Sequence, residues 1–421
     1  SIVTKGEGAN TGGNYTINAT NTTTLTFTNA ILDNNKANSG DGGAVYNYSV
    51  ATSIGKGEEE TSSDSCTVIS TTTSKVTITI NNSTFRNNTA TGAGGAIYNE
   101  NFAYSEAISK KGNHGDAYAT SNSTANTIIT VTNSTIAKNT AGTHGGAIYT
   151  SNTANSYALN DYGSNAIGTS KTTSNTNVTI TISNSTIANN KALNGVAGGI
   201  YNTNRAIGTS SGYNRSGTTD ADTCITLVNT TLAGNTATST TGGIYTYTYS
   251  SHNMYENNSA NVKSKNYIYL LNSIAYANYN STVGNDIYFA GPVDDQDNQI
   301  YGDNEPRMRR FYVAYSIFGT SNLDPHRNYM IESFELTTTA TNVGRIFGIE
   351  NVDFTTIPSG VPQLSDDNLT VKISAKGEAA LRGTLIGRDA ANNYYYWNIN
   401  TDQWICMHTG ATKEGFNNAD I

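Results

Sequence analysis

The stretch VTITINNSTFRNNTATGAGGAIYN (76–99) decides how this chain is read. Its first piece alternates, with Val76, Ile78 and Ile80 on one side and Thr77 and Thr79 on the other, the period-two pattern of a half-buried strand built from β-branched residues. Its second piece carries one apolar residue, Phe85, between asparagines. Its third, Gly94-Gly95-Ala96-Ile97-Tyr98, opens on paired glycines, which in a strand-like pattern mark a kink or a close backbone approach. Turn residues separate the three pieces, and no helical period runs through them.

The same three pieces return in IITVTNSTIAKNTAGTHGGAIYT (128–150), VTITISNSTIANNKALNGVAGGIYN (178–202) and CITLVNTTLAGNTATSTTGGIYT (224–246). An earlier copy is LTFTNAILDNNKANSGDGGAVYN (25–47), a later, degraded one is YIYLLNSIAYANYNSTVGNDIYF (267–289), and FYVAYSIFG (311–319) is a partial copy. A unit that repeats about every 50 residues, too small to bury its own apolar side, stacks on its neighbours. The expected fold is therefore all-β, a parallel β-helix with three strands per coil, each rung about 4.8 Å above the last. Like residues then lie over like. Ile31, Phe85, Ile136, Ile187, Leu232 and Ile274 form one core column. Asn29, Asn82, Asn133, Asn184, Asn229 and Asn272 hold the turn before it, one residue shorter in the first and last copies. Asparagine tolerates the left-handed backbone of such corners and can bond to an identical amide above or below. A second asparagine column, Asn34, Asn88, Asn139, Asn190 and Asn235, is expected to fail in the last copy, where Ala277 holds the position and Asn278 comes one place late.

The coil uses only about half of each repeat. Polar arms fill the rest, roughly 48–75, 100–127, 151–177, 203–223 and 247–266, and they echo one another, as in Ala107-Ile108-Ser109 and Ala206-Ile207-Gly208. They are expected to project on one side and pack on each other as a second layer. Residues 1–23 are the expected N-terminal cap, 24–330 the β-helix, and 331–421 a C-terminal β-rich cap, since open coil ends invite stacking by other chains. Within that last segment Asn400-Thr401-Asp402 is the expected turn between two aromatic strands.

The formal charge of −8 and the 13% charged residues leave no basic cluster for nucleic acid and no patch for anionic lipid. No apolar run reaches the roughly 20 residues that span a bilayer, so direct membrane insertion is not expected. No export leader is legible from Ser1 onward, and any anchor is expected to lie outside these residues. Cys66, Cys224 and Cys406 are far apart, without metal-ligand spacing, and read as separate thiols; Cys66 is placed in a polar stretch before a strand and Cys224 at the opening of one.

Six tyrosines form the main candidate binding site: Tyr46, Tyr98, Tyr149, Tyr201, Tyr245 and Tyr288. Alternation turns each outward, beside an inward Ile or Val. Stacked, they make an aromatic strip suited to sugar rings or a partner protein, although arms leaving directly after each tyrosine are expected to cover it. A polysaccharide lyase or hydrolase would need carboxylates on neighbouring rungs, and Asp33 and Asp41 have no counterparts. Asp294, Asp295 and Asp297 read as a charged loop, not a calcium site, and His144, ahead of one glycine pair, as a lone exposed turn residue. No catalytic residue, metal or cofactor is expected.

Phe85-Arg86-Asn87-Asn88 with Gly94-Gly95-Ala96-Ile97 resembles the repeats of chlamydial polymorphic membrane proteins and related adhesin-like β-helix proteins. The resemblance spans about residues 24–290 and implies a right-handed coil, secretion, display at the cell surface and adhesion to a glycan or a surface protein. The long arms depart from that pattern, and no outer-membrane barrel follows in these residues. The expected function is an extracellular structural or adhesive module without catalysis. The alternatives are a self-assembling fibre or sheath subunit and, behind it, a carbohydrate-active enzyme.

Overall fold

The computed structural model describes residues 2–11, 14–59, 65–111, 116–161, 168–212, 214–254, 259–276, 278–280, 286–290, 307–314, 317–318 and six short strands between 363 and 413. Every assigned element among them is a strand. Four parallel sheets run along the molecule. Sheet A collects the strands after the double glycines, such as Ile97–Lys111, and sheet B those before the first asparagine, such as Ala117–Thr132. Each has seven strands, as does sheet C, built from three-residue strands such as Thr135–Ala137. Sheet D has five, starting from two-residue strands such as Thr89–Ala90. The three expected strands per coil are present, and sheet D is a short fourth wall between C and A. The protein is a parallel β-helix.

Identical positions stack rung on rung. Phe85 pairs with Ile136, Ile136 with Ile187 and Ile187 with Leu232, all 0% exposed. Val76, Ile78 and Ile80 lie against Thr127, Ile129 and Val131 in sheet B, and Ile97, Ile148, Ile200 and Ile244 close the core from sheet A. Two members of the expected column are wrong. Leu32 pairs with Phe85, while Ile31 is 74% exposed, and Ala275 pairs with Leu232, while Ile274 pairs with Thr231. Every copy keeps three residues from the corner asparagine to the core position, so no turn is shortened (Asn29 to Leu32, Asn82 to Phe85, Asn272 to Ala275). Hydrophobicity misaligned the end copies because a β-branched apolar residue, Ile31 or Ile274, sits one place before the core position there.

The asparagine columns follow the same register. The corner residues all have left-handed backbones, from φ 53° at Asn29 to 47° at Asn272. The amide ladder comprises Asn35, Asn88, Asn139, Asn190, Asn235 and Asn278, all buried except the exposed first member, Asn35. It therefore includes Asn278 and begins at Asn35 rather than Asn34. Asn34 is instead the second left-handed residue of its turn, φ 58°, like Asn87, Lys138, Asn189 and Gly234.

The arms are continuations of sheets A and B rather than loops. From Ile97 to Lys111 one strand stays in register with its neighbours, and the two sheets face each other beyond the coil. Their shared interior is Ala103, Ala125 and Ala154 with bonded Ser, Thr and Asn side chains, for example Ser53 to Ser70 at 2.6 Å. The arms do pack on each other, as expected, although the echoed motif is not itself a ladder: Ala206 pairs with Ala154, not with the Ala107 position. Alternation of small buried residues is what repeats. Within 1–23, Ile2–Thr11 is the outer strand of sheet A and residues from 14 onward enter sheet B, so this segment extends the stack. Leu25, Phe27 and Leu32 of the first rung are only partly buried.

Cys66 opens the strand Cys66–Asn81 and is fully buried, while Cys224 lies within Arg215–Val228; both are free, and their expected places in the strands are thus corrected. Residues 291–306, with Asp294, Asp295 and Asp297, lie outside the described residues, as does the side chain of Cys406. Towards the C-terminus, Tyr394–Asn398 and Gln403–Cys406 pair antiparallel with Trp397 opposite Trp404, as the hairpin reading expects.

The corrected register is testable by denaturation. Leu32→Ala should cost about 1–2 kcal/mol, because the side chain is half-buried, and Phe85→Ala about 3–5 kcal/mol. Ile31→Ala should stay within about 0.5 kcal/mol of wild type. A larger loss at Ile31 than at Leu32 would overturn the register.

Candidate functional site

Each outward tyrosine is set by the corner that precedes it. Gly94 has φ 68°, and a Cβ on Gly95 would sit 2.2 Å from the Gly146 carbonyl oxygen, so the chain turns into sheet A only with both glycines in place. Ile97 then points inward and Tyr98 outward by strand alternation. Because the register is constant, all six tyrosines superpose. Their ring centroids are 5.1, 4.8, 5.0, 5.0 and 5.7 Å apart in chain order, and no two neighbouring planes differ by more than 7°.

The arms do not cover this file, since they run on in the plane of sheet A. The burial present comes from the stack itself. Tyr46 at the open end is 51% exposed, while Tyr98, between Tyr46 and Tyr149 and donating its hydroxyl to Glu100 at 2.6 Å, is 8% exposed. Ring faces are thus spent on neighbouring rings, and what the strip offers along its length is ring edges and hydroxyls. Flat stacking of sugar rings along the whole strip is therefore not available. Burial raises the Tyr149 phenol and pushes Tyr201 up to about 12, so both stay neutral hydrogen-bonding groups.

Sequence reading missed the residues around the file. On the same outer face Tyr104 donates to Glu106 at 2.6 Å, and the Arg205 guanidinium lies 5.9 Å from the centre of the Tyr249 ring. Period-two alternation within the arms was the available signal. His144 is not a lone turn residue: its Nδ1 accepts the Val196 amide at 3.0 Å, and its ring packs on Tyr201 at 4.8 Å. Only the fold brings these together, since rung spacing separates them by 52 residues in sequence.

Carboxylates do meet on the outer face of sheet B. Asp220 and Asp222 alternate on one strand and pair in register with Lys263 and Lys265. Burial, then the Asp220 charge, raises Asp222 to about 6 against the pull of Lys265, whose Nζ lies 3.9 Å away. Asp33, by contrast, is bonded by Asn87 and Arg86 and held below its usual value. Among the described residues no group of three His, Cys, Asp or Glu side chains could hold a metal ion, and no helix is long and apolar enough to cross a membrane.

Residues 82–100 and 133–151, each running from a corner asparagine past a double glycine into sheet A, match the family model for the Chlamydia polymorphic membrane protein repeat. These two segments are similar to that repeat, consistent with a repeat family of this kind. The matched segments contain the core positions Phe85 and Ile136, the ladder residues Asn88 and Asn139, and Tyr98 and Tyr149 of the strip. No curated protein and no solved structure matches the chain.

Burial holds the imidazoles of His144 and His252 below their ordinary 6.5. The unfolded chain therefore takes up protons first on acidification, and this part of the stability, present above about 6.5, is lost as pH falls from there through the lowered folded values. Asp222, raised to about 6, acts in the opposite sense in the same window. Thermal unfolding of wild type and a His144→Asn/His252→Asn variant at a series of pH values isolates the term: the wild type should lose more stability between about pH 7 and pH 5 than the variant does.

Proposed function

We propose that the protein is an extracellular, surface-displayed attachment module without catalysis, and that the tyrosine face of sheet A makes the contact. The observation that carries this reading is the unbroken file of six outward tyrosines on a scaffold of family-matching repeats. Tyrosine gives a large contact area at small entropic cost and is enriched in interfaces. The partner best suited is a glycan chain or a surface protein that lies along the rungs and hydrogen-bonds to the phenol edge. The surface role accords with the family's name, and the antiparallel C-terminal strands are proposed to cap the coil.

Glycan-array and cell-attachment assays with purified protein test this. Replacing Tyr149, Tyr201 and Tyr245 together by Ser should weaken binding by about 100-fold if the strip is a hot spot of about 2–3 kcal/mol, with the β-sheet circular dichroism unchanged. Full attachment by that folded variant would sink the strip as the contact surface.

One observation favours a second reading, a carbohydrate-active enzyme. Asp220 and Asp222 place two carboxylates side by side, and Asp222, raised to about 6, suits a general acid. A polysaccharide panel assayed for new reducing ends decides it: activity lost on Asp222→Asn would establish the enzyme, and an inert wild type would remove it. The fibre reading draws on the open edge of the first rung; at the other end Arg307–Ala314 and Ile317–Phe318 lie beyond Asp286, on which the amide ladder ends among the described residues. A strict monomer in sedimentation would remove it.

A further inference from the structure

We propose that His144 is an acid-sensitive clasp between the third and fourth rungs that sets the exposure of the tyrosine strip at Tyr201. This rests on the reading of that strip as the attachment surface. His144 stands at the corner where sheet D passes into sheet A. Its Nδ1 accepts the Val196 amide from the next rung at 3.0 Å, which places the ring proton on Nε2. The same ring packs on Tyr201 at 4.8 Å and 19°, in addition to the Tyr149 contact that Tyr201 already makes. Gly195 makes room for it, since a Cβ there would lie 2.5 Å from Nδ1. One imidazole thus joins the backbone of the fourth rung to the aromatic file.

The segment it holds is the irregular one. Sheet D shifts register between Ala192 and Val196, and Leu193 within that shift is 50% exposed. Val196 is also tied through its carbonyl, which accepts the Gly145 amide at 3.2 Å. A protonated imidazole has no lone pair for the Val196 N–H and would set one donor against another. It can stay on the Tyr201 face as a cation only by leaving that amide. The charged side chains on the packed elements near this corner include Lys138, Lys191 and Arg205, all exposed, and Glu100, bonded to Tyr98; Tyr149 and Tyr201 are half-buried neutral phenols. Burial alone moves the imidazole, downward, so the clasp is shut near neutrality and opens on the acid side.

The first rung supplies an internal comparison. Asp41, the residue ahead of its glycine pair, accepts the Ala93 amide of the next rung at 2.6 Å. A carboxylate therefore performs the same task at the equivalent corner. This makes His144→Asp the informative variant, because it keeps an acceptor and removes the imidazole.

Hydrogen exchange of the Val196 amide, corrected for intrinsic exchange, is to be followed from about pH 7 to about pH 5 in the whole chain. Wild type should lose protection by about tenfold or more, and His144→Asp should hold it across the same window. Constant protection in wild type, or an equal loss in both proteins, overturns the clasp. Attachment measured at both pH values should change in wild type and not in His144→Asp. A Val196 response with pH-independent attachment overturns the link to the strip while leaving the strip itself standing. If neither protein attaches at any pH, the attachment reading fails, and Val196 exchange still judges the clasp.

Discussion

A buried amide side chain has no water to bond to, so its partners must come from the fold, and in this protein they come from the next copy of the same amide. Asn139 accepts the backbone N–H and the Nδ2 of Asn88 on its Oδ1, and donates its own Nδ2 to Asn190 and to the Phe85 carbonyl. Each rung repeats the set. A slip of one residue would strand several buried polar groups at once, each costing about 1–3 kcal/mol, whereas the same slip among Ile and Val alone would cost only packing. The ladder therefore fixes register, and register fixes everything that stacks.

Two interiors follow from the one register. Inside the coil, where the walls enclose space, Ile, Val, Leu and Phe fill it. Beyond the coil, where sheets A and B face each other directly, Ala, Ser, Thr and Asn occupy the gap and bond across it, as when Ser121 donates to the Ser105 carbonyl and Asn152 to the Ala125 carbonyl. The low charge and high Ser/Thr/Asn content are thus a property of a hydrogen-bonded interior as much as of a surface. The ladder also has a direction: its Nδ2 groups point toward the later rungs, and among the described residues Asp286, an acceptor only, ends it behind Asn278.

The outer surface inherits the same repeat with a consequence that composition hides. Tyrosines brought to rung spacing stack on each other and bury their faces, which steadies the row but leaves edges and hydroxyls as the contact surface. An outward position in a solenoid is therefore only partly free, and its exposure depends on the size of the residue one rung away. The phenol row and the imidazole that leans on it at Tyr201 both derive their environment from neighbours about 50 residues distant in sequence.

The sequence by itself determined the coil, its three principal strands, the outward tyrosines and the left-handed asparagine corners, because these depend on period-two alternation and on local backbone preference, which a single repeat displays. It misplaced Ile31, Ile274, Asn34 and Asn278, because apolar character was used to align copies whose true register is set by corner and amide. Only the tertiary structure decided that the arms are strands of the same sheets, that Asp220 and Asp222 face lysines one rung on, and that His144 closes on Val196. Those are contacts between rungs, and their energies belong to pairs of residues that no local pattern brings together.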